Sequence, residues 1–192
     1  MSLLFDHLPP GPLVLDASAI INLLGSGDMP GVLHALGAVC VVEERTLKEV
    51  QRHPVPGQDH GPVLDGLRRL GVLKVDRMTS VEYDVYLALI QGSMAARLDN
   101  GESAAIALAS RGYAVILDEN KARSLVSRDH PTIRFCSTLA LLLSVGKRGS
   151  WRVDRVQQLV LAARRNARMG VPRGERDTLE RLMNGVIGWP VT

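Results

Sequence analysis

Short apolar runs alternate with amphipathic stretches along most of the chain. "LVLD" (13–16), "AVCVV" (38–42), "GVLKV" (71–75), "YAVILD" (113–118) and "TIRFC" (132–136) have strand length and are rich in β-branched residues. Several are apolar throughout, as strands covered on both faces of a parallel sheet are. Between them, residues 18–25, 29–36, 43–53, 63–70, 80–92, 99–112, 119–127 and 137–146 carry helical spacing. Ser18 is a candidate N-cap for the first helix, and Asp99 or Asn100 opens the one that stops at Gly112. "HPVPGQDHGP" (53–62) holds three prolines and two glycines and reads as a loop. Two basic amphipathic helices follow near 151–168 and 175–187, separated by "MGVPRG" (169–174). The alternation predicts one α/β domain over 12–146 with a mostly parallel central sheet. Residues 147–192 then form a basic helical extension rather than a second domain.

Composition narrows the picture. With 192 residues and only 4% aromatics, the chain has material for one core, built of Leu, Val, Ile and Ala. No apolar run approaches the ~18 residues of a membrane span, and "MSLLFDHLPPG" lacks the basic start and apolar stretch of a signal peptide. Cys40 and Cys136 have no CxxC or zinc-like spacing and are expected to be buried free thiols of a reducing, cytoplasmic compartment, although a disulfide between them stays open. From Lys147 onward there are ten Lys or Arg against four Asp or Glu, so an acidic body carries a basic tail. That asymmetry is compatible with a nucleic-acid partner and equally with a solvated helical face.

The candidate chemistry is carried by acids. Asp16 and Asp118 each end an apolar strand, and in open α/β sheets functional groups collect beyond the carboxyl ends of the strands. Glu49 lies on the helix after the second strand, and Glu102 is in the first turn of the helix before "YAVILD", close to Asp99. Each has a plain structural alternative: a cap, a solvated helix position, or an acid favoured by a helix N-terminus. Taken together, four carboxylates from separate segments would raise one another's pKa unless a cation intervened. Oxygen ligands alone favour Mg²⁺ or Mn²⁺ over zinc.

"LVLDASAIINLL", "VVEERTLKEV", "LDNGESAAIALA" and "AVILDENKAR" resemble, in this order and spacing, the acid-bearing motifs of PIN-domain nucleases. The third is similar to the Gly-Glu motif of one subgroup. The resemblance spans about residues 12–140. It implies a three-layer α/β/α fold and Mg²⁺- or Mn²⁺-dependent cleavage of RNA, with Asp16, Glu49, Glu102 and Asp118 as catalytic residues and Asp16, Glu102 and Asp118 as metal ligands. Ser18, Asp99 and Asn120 would be auxiliary. Glu43 and Glu44 compete with Glu49, and Asn120 with Asp118. The resemblance to toxins of the VapC kind further implies an inhibitory antitoxin protein and a homodimer, with no membrane association.

Arg123, Arg164, Arg165 and Arg168 are candidate contacts to RNA phosphate; water-facing positions are the alternative. Aromatic residues are too few for a base-stacking platform. The five histidines share no ligand spacing, and neither a P-loop nor a GxSxG elbow is present. Two rival readings remain: a non-catalytic member that binds RNA or protein, and a phosphoryl-transfer domain. The second is disfavoured because Ala17 and Ser18 follow Asp16 where an Asp-x-Asp is normally required.

Overall fold

A computed structural model describes residues 8–92 and 97–187. Residues 1–7, most of the segment read as no signal peptide, and residues 188–192, the end of the basic extension, lie outside the described residues.

Five parallel strands form one sheet in the order β3-β2-β1-β4-β5. They are β1 (Leu13–Val14), β2 (Cys40–Glu43), β3 (Leu73–Asp76), β4 (Ala114–Ile116) and β5 (Arg134–Cys136). In register, Leu13 lies between Cys40 and Ala114. The chain winds outward from β1 to β3 on one side and returns to place β4 and β5 on the other. The order therefore reverses between β1 and β4, and the crevice beyond their carboxyl ends is where such sheets bind ligands.

Both faces are covered. One set of strand residues, including Leu13, Cys40, Val42, Leu73 and Ile116, joins a core with α1 (Ala17–Gly25), α2 (Met29–Leu36), α4 (Gly61–Arg69) and α8 (Thr138–Arg148). The alternate set, Val14, Val41 and Val115, packs with α5 (Ser80–Ile90), α6 (Asn100–Ala109) and α7 (Asn120–Asp129). The fold is thus a three-layer α/β/α arrangement. Cys40 and Cys136 are buried and free, and burial pushes both thiols up to about 12. Among the described residues no helix is long and apolar enough to cross a membrane.

Local chemistry moves several element ends from their expected positions. Asp16, not Ser18, caps α1, accepting from the Ala19 amide at 2.6 Å. Asp99 caps α6 through the Glu102 amide at 2.8 Å. The helix expected over 43–53 is only α3 (Glu44–Glu49): Val50 leaves the helical region (φ −78°, ψ 79°), and Pro54 bars helix beyond residue 53. The basic helices shorten to α9 (Val153–Ala167), ended by Arg168 in a left-handed conformation (φ 57°), and α10 (Arg176–Met183).

The C-terminal segment is built into the core. Val156, Leu159, Val160 and Ala163 of α9, with Leu182 and Ile187, bury in the same cluster as the sheet. A polar clasp ties it to the carboxyl edge. Glu175, 3% exposed, pairs with Arg123 at 2.9 Å and accepts from the Ser137 hydroxyl. Arg123 also donates to the Leu117 carbonyl at 3.2 Å and lies 5.0 Å from the Phe135 ring centroid. Arg123→Ala would strand the Glu175 charge in the interior. We expect a loss of about 3 kcal/mol in urea unfolding, with Glu175→Gln milder because the amide still meets Ser137. Equal stability of Arg123→Ala and wild type would contradict this role.

Candidate active site

A parallel sheet brings every strand's carboxyl end to one edge, and four strands here deliver an acid to it: Asp16 after β1, Glu43 and Asp76 ending β2 and β3, and Asp118 after β4. Three have local partners. Glu43 caps α3, accepting from the Arg45 amide at 2.5 Å and the Thr46 amide at 3.4 Å. Asp76 meets Arg111 at 2.6 Å, and Arg111 also grips Glu82, holding that carboxyl below its ordinary range. Asp118 accepts from Asn22 Nδ2 (2.8 Å), Thr138 N (2.8 Å) and Thr138 Oγ1 (2.6 Å).

Asp16 is different. It is 2% exposed, and its hydrogen-bond partners are the Ala19 amide and the Ser18 hydroxyl, the latter 2.9 Å from both carboxylate oxygens. It faces a cavity of about 40 Å³ lined by Asp16, Ser18, Glu49, Asp99, Glu102 and Glu119, with Ala17 and Gly101 completing the wall. Five carboxylates thus surround one small space, and among the described residues no Lys or Arg lines it.

The cavity brings together some of the expected residues and excludes others. Asp16, Ser18, Glu49, Asp99 and Glu102 line it. Glu49, rather than Glu43 or Glu44, is the acid that α3 contributes; Glu44 is taken by Arg77 at 2.8 Å and Lys48 at 3.5 Å. Gly101 makes room for it, since a Cβ there would fall 2.6 Å from Glu49 Oε2.

Asp118 and Asn120 do not line the cavity. Asp118 is turned onto Asn22 and Thr138, close enough to Asp16 to raise its pKa, while Asn120 Oδ1 accepts from the Arg173 amide at 3.1 Å. Glu119, between them, supplies that wall. The sequence signal for it was an acid adjacent to Asp118 at the start of α7; the structure adds that its side chain makes no cap hydrogen bond.

The expected phosphate-binding arginines are also elsewhere. Arg123 is committed to Glu175. Arg164, Arg165 and Arg168 flank the contact in which Asn166 donates to the Gly25 carbonyl at 2.9 Å. That is the far end of α1 from Asp16, about 13 Å along the helix axis.

The electrostatics follow from burial. Desolvation is the largest cause raising Asp16 to about 7 and Glu102 to about 8, and neighbouring acids add to both shifts. Glu49 is raised for the same reasons. Hard oxygen donors carrying an excess of negative charge suit a divalent cation such as Mg²⁺ or Mn²⁺. Among the described residues no three acid, histidine or cysteine side chains stand in an arrangement that would hold an ion directly. An ion held there would take one or two carboxylates and keep several waters, as Mg²⁺ usually does.

Between the ordinary values of 3.8 and 4.5 and the raised values of about 7 and 8, the folded protein holds protons that the unfolded chain has released. Stability from these groups is therefore complete at low pH and lost as pH rises through 7 to 8. Asp16→Asn keeps an acceptor for the Ala19 amide and removes the charge. In chelator it should melt higher than wild type at about pH 8, by roughly 1–3 kcal/mol of stability, with the gap closing toward about pH 5. A gap independent of pH in thermal melts would contradict the shift.

A family model described as a PIN domain matches residues 12–174, which includes α9 and stops one residue short of Glu175. No curated protein and no solved structure matches the chain. With most of its length under that match, and with acids gathered at the switch point of a five-stranded parallel sheet, the chain belongs to the PIN-domain family.

Proposed function

We propose that this member of a generally nucleolytic family is a metal-dependent endoribonuclease. The observation that carries the reading is the cavity at the β1–β4 switch point, walled by five carboxylates with no Lys or Arg lining it among the described residues. Asp16 and Glu102, the two buried acids, would hold the ion, with Glu49, Asp99 and Glu119 reaching it from the rim or through water. When bound, Mg²⁺ or Mn²⁺ supplies positive charge and Lewis acidity toward water and a phosphodiester oxygen.

The chain's own groups prepare the site. Ser18 Oγ and the Ala19 amide orient Asp16, and Asp99 fixes the first turn of the helix that presents Glu102. Asn22 and Thr138 keep Asp118 facing away from the cavity. The motif resemblance to VapC-kind toxins supports, within the same proposal, an inhibitory antitoxin and a homodimer. A non-catalytic RNA- or protein-binding module is the second reading, favoured by the lack of a three-ligand group among the described residues.

Cleavage of total RNA with Mn²⁺, Mg²⁺ or chelator tests the proposal. Wild type should cut only with metal, and Asp16→Asn and Glu102→Gln should each lower the rate at least about 100-fold, the factor several kcal/mol of transition-state stabilisation represents. At limiting Mn²⁺ the rate should rise as pH passes through the values of about 7 and 8 at which Asp16 and Glu102 ionise. Undiminished cleavage by Asp16→Asn in chelator rules the mechanism out. Binding without cutting under every metal would favour the second reading. Gly101→Ala should fold normally and cut more slowly, because its Cβ displaces the Glu49 carboxylate.

A further inference from the structure

Two of the three tyrosines lie side by side next to the carboxylate cavity. The Tyr83 and Tyr86 rings on α5 stack with centroids 5.6 Å apart and planes at 25°. The Arg45 guanidinium, on the first turn of α3, lies over both, 5.0 Å from one centroid and 5.5 Å from the other. This layer borders a groove of about 350 Å³, lined among others by Arg45, Arg77, Thr79, Ser80 and Tyr83. Tyr83 remains 37% exposed, a large aromatic left facing solvent. Glu43 and Glu44 also border the groove, but one is engaged by backbone amides of α3 and the other by Arg77 and Lys48.

No residue lines both the groove and the cavity, but two features set them side by side. Tyr86 Oη donates to Asn100 Oδ1 at 3.1 Å, and Asn100 sits between Asp99 and Gly101, both in the cavity wall. The α3 segment also spans both: Glu43 and Arg45 border the groove, and Glu49 the cavity. Six residues of helix cover about 9 Å, so the groove and the cavity are within reach of one short stretch of strand. Aromatic rings and guanidinium planes are the surfaces on which unpaired bases stack, and Ser80 borders the same groove, while Arg77 is held by Glu44 and the Thr79 hydroxyl by Glu82.

We propose that this groove binds an unpaired nucleobase of the strand whose phosphodiester enters the cavity. The inference rests on the nuclease reading for its substrate, and it adds a specificity-determining site, with Tyr83 and Arg45 as its stacking surface.

Fluorescence anisotropy with a fluorescein-labelled single-stranded oligoribonucleotide tests it, with the same strand annealed to its complement as comparison. Chelator is present so that binding is read apart from cutting. Wild type should prefer the single strand. Tyr83→Ala should weaken that binding about tenfold, the loss one base–aromatic stack represents, while leaving the duplex unchanged. Arg45→Ala should act in the same direction, Tyr83→Trp should retain binding, and Leu161→Ala on exposed α9 surface should have no effect. The proposal fails if Tyr83→Ala binds the single strand as wild type does, if both forms weaken equally, or if the single strand does not bind. Binding through Tyr83 by protein that never cuts under Mn²⁺ would remove the nuclease reading and leave the groove; metal-dependent cutting with binding indifferent to Tyr83 would do the reverse.

Discussion

The constraint on which this structure turns is the crowding of negative charge at one edge of a parallel sheet. Parallel strands all finish on the same side, so acids placed at strand ends become neighbours. The protein resolves Glu43 with a helix N-terminus, Asp76 with Arg111, and Asp118 with Asn22 and Thr138. Asp16 caps α1 with one amide and one hydroxyl, but the acids around it add charge rather than remove it. Burial without a neutralising partner is costly, and it persists where the deficit is useful. A cation that relieves it, and a phosphodiester drawn to that cation, connect the electrostatics to the chemistry of a nuclease family.

The basic tail also has a structural role that its charge does not show. Arg164, Arg165 and Arg168 stand at the far end of α1, and Arg123 is spent on Glu175. What the tail brings to the carboxyl edge is Glu175, which fixes Arg123 and through it the Leu117 carbonyl, immediately before Asp118 and Glu119. The extension thus braces the strand end that presents the cavity wall, and its apolar face completes the core.

Much of this was legible in the chain. Continuous apolar strands announced a sheet covered on both faces, and acids at the ends of "LVLD" and "YAVILD" pointed to its carboxyl edge. Glu49 and Glu102 could be named because helix positions follow from spacing. Side-chain commitment could not be read. Asp118 and Glu119 are adjacent in sequence, and which one faces the cavity depends on Asn22 and Thr138, distant residues that claim Asp118. The same holds for Arg123, whose partner lies 52 positions along the chain. The N-cap moved from Ser18 to Asp16 because the carboxylate, held at the strand end, reaches the Ala19 amide first. Sparse aromatics argued against base stacking, yet the fold places two of three tyrosines together beside Arg45. Composition counts residues and says nothing of their clustering.

The most direct test of the account is a carboxyl titration by ¹³C NMR of the intact protein, first in chelator and then with Mg²⁺. Asp16 and Glu102 should titrate near 7 and 8 without metal, and both should fall when the ion is added. Ordinary carboxylate values in both conditions, or raised values that Mg²⁺ leaves unmoved, would contradict the claim that this edge holds charge for a cation to relieve.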